Sequence, residues 1–220
     1  SDAEYAALIW SMDENVGKVL DYLKEEGLYD NTVVCLVSDN GGLSTAEGSP
    51  TSNFPLRGGK GWLYEGGIRV PYIIKTPYMK GSAGICKTPV SSTDFYPTIL
   101  ELTGATLKPY QHKDGVSLVP LLKGNRVFDR GAIYFHYPHY GGKGDSPAGA
   151  IRKGDYKLIW FYEDDHIELY NLKMDISEKE NLAETQKERA LSLQKELQEW
   201  LCSCAAKMPV YNPDYKEIKY

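Results

Sequence analysis

Residues 32–42, TVVCLVSDNGG, decide the fold that this sequence predicts. Residues 32–37 are β-branched and apolar without a break, a pattern typical of a central strand covered on both faces. The chain then switches at once to the polar, glycine-rich residues 38–42. In an α/β sheet, ligands collect outside the carboxyl ends of the strands. The stretch therefore predicts an α/β fold with a ligand site directly after this strand.

Helical and strand patterns continue on both sides of this stretch. Apolar residues recur at helical spacing over residues 5–23, and Gly27 follows where that helix would end. Residues 68–75 predict the next strand, with Pro71 marking an edge or a bulge. Residues 92–94 are expected to cap a further helix. Together these elements predict part of a large mixed sheet with flanking helices.

The pattern changes after residue 125. Four short strand-like runs predict a small antiparallel sheet: residues 132–137, 150–152, 157–162 and 167–171. A long helix over residues 184–202 follows, and its apolar positions are expected to pack on that sheet: Leu191, Leu193, Leu197, Trp200 and Leu201. We therefore predict an α/β part over residues 1–125 and a small α+β subdomain over residues 126–220.

The composition excludes several classes of protein. Across 220 residues the hydrophobic fraction is 42% and the charged fraction 25%, as in an ordinary globular chain. The net charge is −5 and the 25 basic residues are spread along the sequence, which argues against nucleic-acid binding. No apolar run is long enough to span a bilayer. The first residues are already helix-like, so we expect a processed or truncated chain.

Asp39 and Asn40 stand where the ligand site is predicted. Carboxylate and amide oxygens suit a hard cation such as Ca²⁺ or Mg²⁺. The two glycines that follow let the backbone turn sharply and let a ligand approach. A plain Asp-Asn-Gly-Gly turn explains the same residues. The residues alone leave both interpretations open.

A second candidate group lies in residues 55–61, PLRGGKG. Flanking glycines leave the Lys60 amine free to reach an anion as a compact charge, and Arg57 can do the same with a planar fork. The segment is not a phosphate-binding P-loop, because no strand precedes it and no Ser or Thr follows Lys60. A solvated basic loop is the alternative. Glu65 and Arg69 are spaced to pair with each other, which indicates a structural role.

Two histidines form the last candidate group. His136 and His139 alternate with aromatic residues in YFHYPHY, residues 134–140, and are predicted to line a sugar-binding cleft. A zinc pair is disfavoured because no third ligand is evident. A strand end with stacked aromatic rings is the plainer alternative.

Taken in order, these motifs closely resemble the second half of the sulfatase signature. The resemblance rests on residues 38–42 (SDNGG), 56–61 (LRGGKG), 64–71 (YEGGIRVP), 94–98 (DFYPT) and 114–117 (DGVS). Residues 168–172 (ELYNL), with Asp175 and residues 180–182 (ENL), resemble the C-terminal subdomain of the family. The resemblance covers nearly the whole chain in the order of the family.

The resemblance implies an alkaline-phosphatase-like fold, with residues 1–125 as the C-terminal part of the catalytic domain. It implies a sulfuric ester hydrolase that acts on sulfated sugars or aryl-type sulfate esters. Asp39 and Asn40 match ligands of a Ca²⁺ ion, with Mg²⁺ as the alternative, and Lys60 matches the lysine that contacts the substrate sulfate. The resemblance also implies a periplasmic or secreted location.

The sequence departs from the family at the nucleophile. In the family a formylglycine, made from the cysteine or serine of a C/S-x-P-x-R segment, is hydrated to the attacking group. None of the four cysteines and no serine of this chain begins such a segment. We therefore expect the nucleophile and the remaining metal ligands upstream, and this polypeptide to be inactive alone. An absent upstream half would also expose a sheet edge, so we expect association through that edge.

Two alternatives stay open at this point. A phosphodiesterase or phosphonate hydrolase of the same superfamily tends to use Asp-His where this chain has Asp39 and Asn40, and it binds zinc or manganese, so Asn40 argues against it. The second alternative is a non-catalytic fragment that binds sulfated glycans.

Overall fold

The computed structural model describes residues 2–44, 48–78, 84–125, 128–142 and 145–215. The chain divides into two compact units. The first comprises Ser1–Asn40, Gly48–Thr51 and Val70–Gly131, and the second comprises Gly41–Glu47, Ser52–Arg69 and Ala132–Tyr220. Residues 52–69 therefore belong with the C-terminal sheet although they are distant from it in sequence. The boundary predicted at residue 126 falls outside the described residues and stays a prediction.

The described residues form five α-helices and six strands. The helices are α1 (Ala3–Glu25), α2 (Glu65–Ile68), α3 (Phe95–Leu102), α4 (Val119–Leu122) and α5 (Lys187–Ser203). The strands are β1 (Val34–Val37), β2 (Tyr72–Lys75), β3 (Ile133–Tyr137), β4 (Ala148–Lys153), β5 (Tyr156–Phe161) and β6 (Ile167–Asn171). No helix in this described part is long and apolar enough to cross a membrane.

Helix α1 confirms the helix predicted over residues 5–23. Asp2 caps it by accepting the Tyr5 N–H at 3.0 Å, and Gly27 follows its end with a φ of +65°. None of its residues is buried. Leu8 and Trp10 are 68% and 67% exposed, so the apolar face of α1 is open to solvent in the described chain.

Strand β1 corrects the prediction of a central strand covered on both faces. Among the described strands it pairs with β2 alone, antiparallel, in a two-stranded sheet. Leu36 and Val37 are each 41% exposed. The apolar run indicates that these side chains favour burial, but the described residues of the first unit leave Leu36 and Val37 partly exposed to solvent.

The strand predicted over residues 68–75 is also shorter than expected, because it begins at Tyr72. Residues 65–68 are helical instead, since the carbonyls of Tyr64 and Glu65 accept the N–H groups of Ile68 and Arg69. Residue 71 is a proline without an N–H, and it lies just before the strand.

Helix α3 confirms the predicted helix, and its N-cap residue is Asp94, within the predicted residues 92–94. A 3₁₀ turn over Ser92–Asp94, itself capped by Ser91, leads into it. The Ser91 hydroxyl accepts the Thr93 N–H, and the Asp94 carboxylate accepts the Ser91 N–H at 2.7 Å. Asp94 is fully buried, and Arg130 donates to both of its oxygens at 2.8 Å. This buried pair fixes the start of α3 within the first unit.

The second unit contains the predicted antiparallel sheet, in the order β3-β4-β5-β6. Helix α5 packs on one face of it, where Ile151, Leu158 and Leu169 meet Ala190, Leu193, Leu197 and Leu201. A second apolar cluster of the unit joins Tyr64 to the following sheet residues: Ala148, Ala150, Ile159, Phe161 and Tyr170. Segment 52–69 is therefore anchored to the sheet by an aromatic ring.

The packing of α5 confirms part of the predicted apolar face and corrects the rest. Leu193, Leu197 and Leu201 are buried, whereas Leu191 is 51% exposed. Successive residues of a helix are rotated by about 100°. Ala190, one residue before Leu191, therefore points towards the sheet and is buried, whereas Leu191 points away from it. Trp200 is half-buried and stacks on Tyr134 at 4.8 Å.

Candidate functional site

Asp39 and Asn40 lie at the carboxyl end of β1, two and three residues beyond its last residue, Val37. The Ser38 hydroxyl donates to the Asn40 carbonyl at 2.9 Å and closes a tight turn there. Asp39 is exposed and Asn40 is half-buried. One carboxylate and one amide are thus presented directly after a strand.

These two residues fit a hard cation as part of a ligand shell. Their oxygens are the ligands that Ca²⁺ and Mg²⁺ prefer, but Ca²⁺ takes about six to eight oxygens. In the part of the chain that the structure describes, no three or more His, Cys, Asp or Glu residues are grouped as a metal site. Residues 39 and 40 therefore need ligands from elsewhere, and their metal role stays a prediction.

Lys60 lies in a tightly held loop of the second unit. Its backbone N–H donates to the Gly42 carbonyl at 3.1 Å, and the Trp62 N–H donates to the Gly59 carbonyl at 2.9 Å. A Cβ atom on Gly59 would lie 2.5 Å from the Gly42 carbonyl oxygen, so only glycine fits there. The backbone at Lys60 is fixed, whereas its side chain is exposed.

The loop is closed by further backbone contacts at glycines. A Cβ on Gly41 would lie 1.7 Å from the carbonyl oxygen of Gly66, and one on Gly66 would lie 2.3 Å from that of Gly58. The Gly41 N–H donates to the Gly67 carbonyl at 2.9 Å. Residues 41–44 therefore pack directly on the segment that carries Lys60.

Asn53 ties the same two segments together, and sequence reasoning missed it. Its side-chain oxygen accepts the Gly42 N–H at 3.2 Å. Its amide nitrogen lies 2.8 Å from the Gly42 carbonyl, 2.9 Å from the Ser44 hydroxyl and 3.1 Å from the Gly58 carbonyl. An Asn in a polar loop gives no signal of such a role, because its partners come together only in the fold.

Arg57 has protein partners for its guanidinium. Its Nη1 atom donates to the Tyr170 hydroxyl at 2.8 Å and to the Glu178 carbonyl at 2.9 Å. The guanidinium carbon also lies 3.8 Å from the centre of the Tyr64 ring. Burial, together with Glu168, raises the pKa of both tyrosine hydroxyls, which therefore stay protonated. These contacts hold residue 57 on the sheet, and its predicted contact with substrate stays a prediction.

A buried charge network lies behind the Lys60 loop, and sequence reasoning recognised only its outermost pair. Arg69 and Glu65 form the predicted ion pair at 3.6 Å, which confirms their structural role. Glu65 also meets Lys157 of β5 at 3.0 Å, and Lys157 in turn meets Glu178. Lys157 lies within an apolar strand pattern, and its partners are more than 90 residues earlier or after the next strand, so no local signal marks it.

The two candidate histidines have different surroundings. His136 has both ring nitrogens engaged, Nδ1 at 2.8 Å from the Tyr162 hydroxyl and Nε2 at 3.0 Å from the Lys207 carbonyl. His139 is exposed and packs edge-on against Tyr137 at 5.4 Å. The geometry at residue 136 is that of a strand with stacked aromatic rings. The predicted substrate contacts of both histidines stay predictions.

Comparison with known proteins adds family evidence to this geometry. Residues 1–105 match the Sulfatase family, and residues 58–207 match the family described as N-sulphoglucosamine sulphohydrolase, C-terminal. A sulfatase of Formosa agariphila is 35% identical over 243 residues, which covers 100% of this chain and 43% of that protein. An N-acetylglucosamine-6-O-sulfatase of Bacteroides thetaiotaomicron is 32% identical over 219 residues, 97% of this chain and 37% of that protein.

A solved structure agrees with the fold. That of Ps i-CgsB in complex with k-i-k-neocarrahexaose is 33% identical with a TM-score of 0.77, over 89% of this chain and 42% of that protein. The chain thus spans less than half the length of each of these relatives. The predicted fold class is confirmed, and this chain belongs to the sulfatase family, in the alkaline-phosphatase-like superfamily.

Proposed function

We propose that the protein containing this chain hydrolyses sulfate esters, and that its substrates are sulfated sugars. One observation carries the proposal: an exposed ammonium, Lys60, stands on a loop whose backbone is fixed on both sides. A lysine so presented is suited to meet a compact anion. Membership of the sulfatase family supports the reading of that anion as a sulfate ester.

The roles proposed for the site follow from this arrangement. Lys60 neutralises charge that develops on the oxygens of the transferring sulfuryl group. Asp39 and Asn40 would supply two oxygen ligands to a Ca²⁺ ion, with Mg²⁺ as the alternative, and such an ion would supply Lewis-acid stabilisation of negative charge. Arg57, His136 and His139 remain candidates for contacts with the rest of the substrate. Of these three, Arg57 and His139 are exposed, whereas His136 is half-buried.

A formylglycine outside residues 1–220 is the proposed nucleophile. No cysteine or serine of residues 1–220 begins a C/S-x-P-x-R segment. We therefore propose that this polypeptide by itself contributes sulfate and metal contacts and does not turn over substrate. A periplasmic or secreted location is proposed from the family resemblance.

Relatives support a sulfated sugar as the substrate class. One relative is named as an N-acetylglucosamine-6-O-sulfatase. The structure of BT4656 is a complex with its substrate, D-glucosamine-2-N,6-O-disulfate, and it is 30% identical with a TM-score of 0.65 over 91% of this chain. A sulfated glycan or a related sulfate ester is accordingly the proposed partner of Lys60.

The test is an assay of the full gene product on a sulfated glucosamine, 4-nitrophenyl sulfate and bis(4-nitrophenyl) phosphate, with metal analysis of the same sample. We expect sulfate release, bound calcium or magnesium, and a loss of about 100-fold or more in Asp39→Ala, since a metal ligand is removed. Preference for the phosphodiester with zinc or manganese bound would establish the phosphodiesterase alternative. Tight binding of the sulfated sugar with no turnover would establish the glycan-binding alternative.

A further inference from the structure

Lys157 is a charged side chain in the interior of the second unit. Its side chain has no exposed area. The ammonium donates to the Leu63 carbonyl at 2.9 Å and to Glu65 Oε1 at 3.0 Å. It also lies 2.5 Å from Glu178 Oε1, a contact that is an ion pair but lacks hydrogen-bond geometry. A buried ammonium is tolerated only with such partners.

The partners of Lys157 link the sheet to the Lys60 loop. Leu63 and Glu65 come just after Lys60 in sequence, whereas Glu178 comes after β6. Glu178 Oε2 also accepts the Glu65 backbone N–H at 2.7 Å. Both carboxylates therefore converge on one cation and fix residues 63–65 against the sheet.

The other end of the loop is held by the same glutamate. The backbone carbonyl of Glu178 accepts a hydrogen bond from Arg57, whose guanidinium also lies over the Tyr64 ring. Residues 58–64 are thus fastened at Arg57 on one side and at Glu65 on the other. Lys60 is exposed between these two anchors.

Stability alone does not account for charges at this place. A buried ion cluster is on average no more stabilising than apolar side chains of the same shape. Charges and hydrogen bonds do differ from apolar contacts in direction, because they fix partner atoms in one geometry. Fixed geometry matters in a reacting site, where a displacement of about 1 Å costs about 100-fold in rate.

We propose that Glu65, Lys157 and Glu178 form a positioning network that holds the Lys60 loop in its active geometry. None of the three touches substrate in this proposal; they act through the backbone of residues 58–64. What the loop is positioned for rests on the proposed function, whereas the rigidity of the loop does not.

The first test measures backbone hydrogen exchange in the full gene product. Lys157→Met removes the cation and keeps similar volume. Lys153→Met is the matched control, because Lys153 lies on the same sheet but is half exposed in its pair with Glu196. We expect exchange in residues 58–64 to rise by about tenfold or more in Lys157→Met, with α5 and β4 unchanged. Equal acceleration throughout the sheet, or none in the loop, would overturn the proposal.

Lys157→Met leaves two buried carboxylates without their cation, and a second variant controls for the misfolding that this can cause. Lys157→Met combined with Glu65→Gln and Glu178→Gln removes all three charges and leaves no buried ion unpaired. We expect this triple variant to fold, and its loop still to exchange faster than in wild type. A folded triple variant whose loop exchanges as slowly as wild type would contradict the network's role.

Steady-state kinetics of the same variants test whether the network acts through Lys60. In sulfate-ester hydrolysis the triple variant should lose about 10- to 100-fold in kcat per folded molecule, with a smaller change in KM. Adding Lys60→Ala to it should cause less loss than Lys60→Ala causes in wild type, because both act on the same group. Unchanged kcat, or fully additive losses, would assign the network to stability alone. If wild type hydrolyses no sulfate ester, the proposed function fails and hydrogen exchange decides the rigidity of the loop by itself.

Discussion

The side chain of Lys60 carries little of the folding energy and most of the proposed chemistry. It is exposed, and its fixed position comes from backbone hydrogen bonds that alanine would keep. Lys60→Ala should therefore change the free energy of unfolding by less than about 0.5 kcal/mol. It should lower kcat/KM for a sulfated sugar by about 10²- to 10³-fold, because one donor to the developing charge is lost.

Lys173→Ala is the control for this prediction. Lys173 is 72% exposed and lies 3.9 Å from Asp155 in a weak surface pair. Its removal should leave both kcat/KM and stability at wild-type values. Steady-state kinetics and urea unfolding of the two variants side by side measure the contrast. Equal activity of Lys60→Ala and wild type would remove this residue from the site.

The Tyr134 hydroxyl makes the stability of the folded chain depend on pH in the alkaline range. Burial, with Glu196 nearby, raises the pKa of its hydroxyl from 10.0 to about 12. Between pH 10 and 12 the unfolded chain therefore loses this proton before the folded chain does. The contribution of Tyr134 to stability is present below pH 10 and is lost as the pH rises towards 12.

Tyr134→Phe should remove that contribution. The gap in unfolding free energy between wild type and Tyr134→Phe should be largest below pH 10 and should narrow up to about pH 12. Urea unfolding at several pH values measures it. Tyr110→Phe, at a position that is 70% exposed, is the control for the loss of a tyrosine hydroxyl as such. A constant gap for Tyr134→Phe would show that the hydroxyl titrates alike in both states.

At this scale the sequence could indicate the residues that carry chemistry but not those that hold them. Asp39, Asn40 and Lys60 stand in recognisable motifs next to glycines. Lys157 and Glu178 do not, because their meaning depends on contacts across about a hundred residues of chain. A lysine in an apolar strand gives no local sign of the two carboxylates that neutralise it.

Helix α5 shows what periodicity determines at the scale of elements. Leu197 is fully buried against the sheet, whereas Leu191 is 51% exposed on the same helix. Leu197→Ala should lower the free energy of unfolding by about 2–5 kcal/mol, because it leaves a cavity in the core. Leu191→Ala should lower it by less than about 1 kcal/mol. Thermal and urea unfolding distinguish the two, and equal losses would contradict the observed face of α5.

The elements themselves follow from the sequence to a large extent. The structure confirms strands β3 to β6 and helices α1, α3 and α5. Periodic apolar runs and turn residues mark these elements in the sequence. The errors lie where tertiary contacts decide: the helical turn at residues 65–68, the burial of β1, and the packed face of α5. A hydrophobic pattern indicates which residues need cover, and only the fold shows whether cover is present.

At the scale of the whole molecule, apolar surface of the first unit predicts association of the isolated chain. Leu8, Trp10, Leu36 and Ile73 are all between 41% and 68% exposed. Burying such surface is favourable, and the two-stranded sheet also leaves edges for pairing. Sedimentation of residues 1–220 should show species larger than the monomer at about 100 μM.

A variant isolates the cause of this association. Leu8→Gln combined with Trp10→Gln changes only exposed side chains of α1 and should shift the distribution towards the monomer. Glu14→Gln on the same helix, also exposed, should not. A chain that stays monomeric at every concentration would show that this surface is not adhesive.

The overall fold class was accessible from sequence because the motifs occur in the order of a family. The solved relative confirms it over 89% of the chain. The assignment of residues 52–69 to the C-terminal unit was not accessible, since that segment follows β1 in sequence and gains its partners from strands formed much later. The predicted division at residue 126 remains a prediction.

The glycines packed around the Lys60 loop have a consequence for genetics. At Gly41, Gly59 and Gly66 one stretch of main chain rests on another, and even a methyl group would collide with a carbonyl oxygen. In saturation mutagenesis scored by growth, substitutions at these glycines should therefore be tolerated as poorly as substitutions at Lys60. Protein abundance would separate them: glycine alleles would be degraded before they reached function, whereas a Lys60 allele would accumulate as a full-length, inactive product.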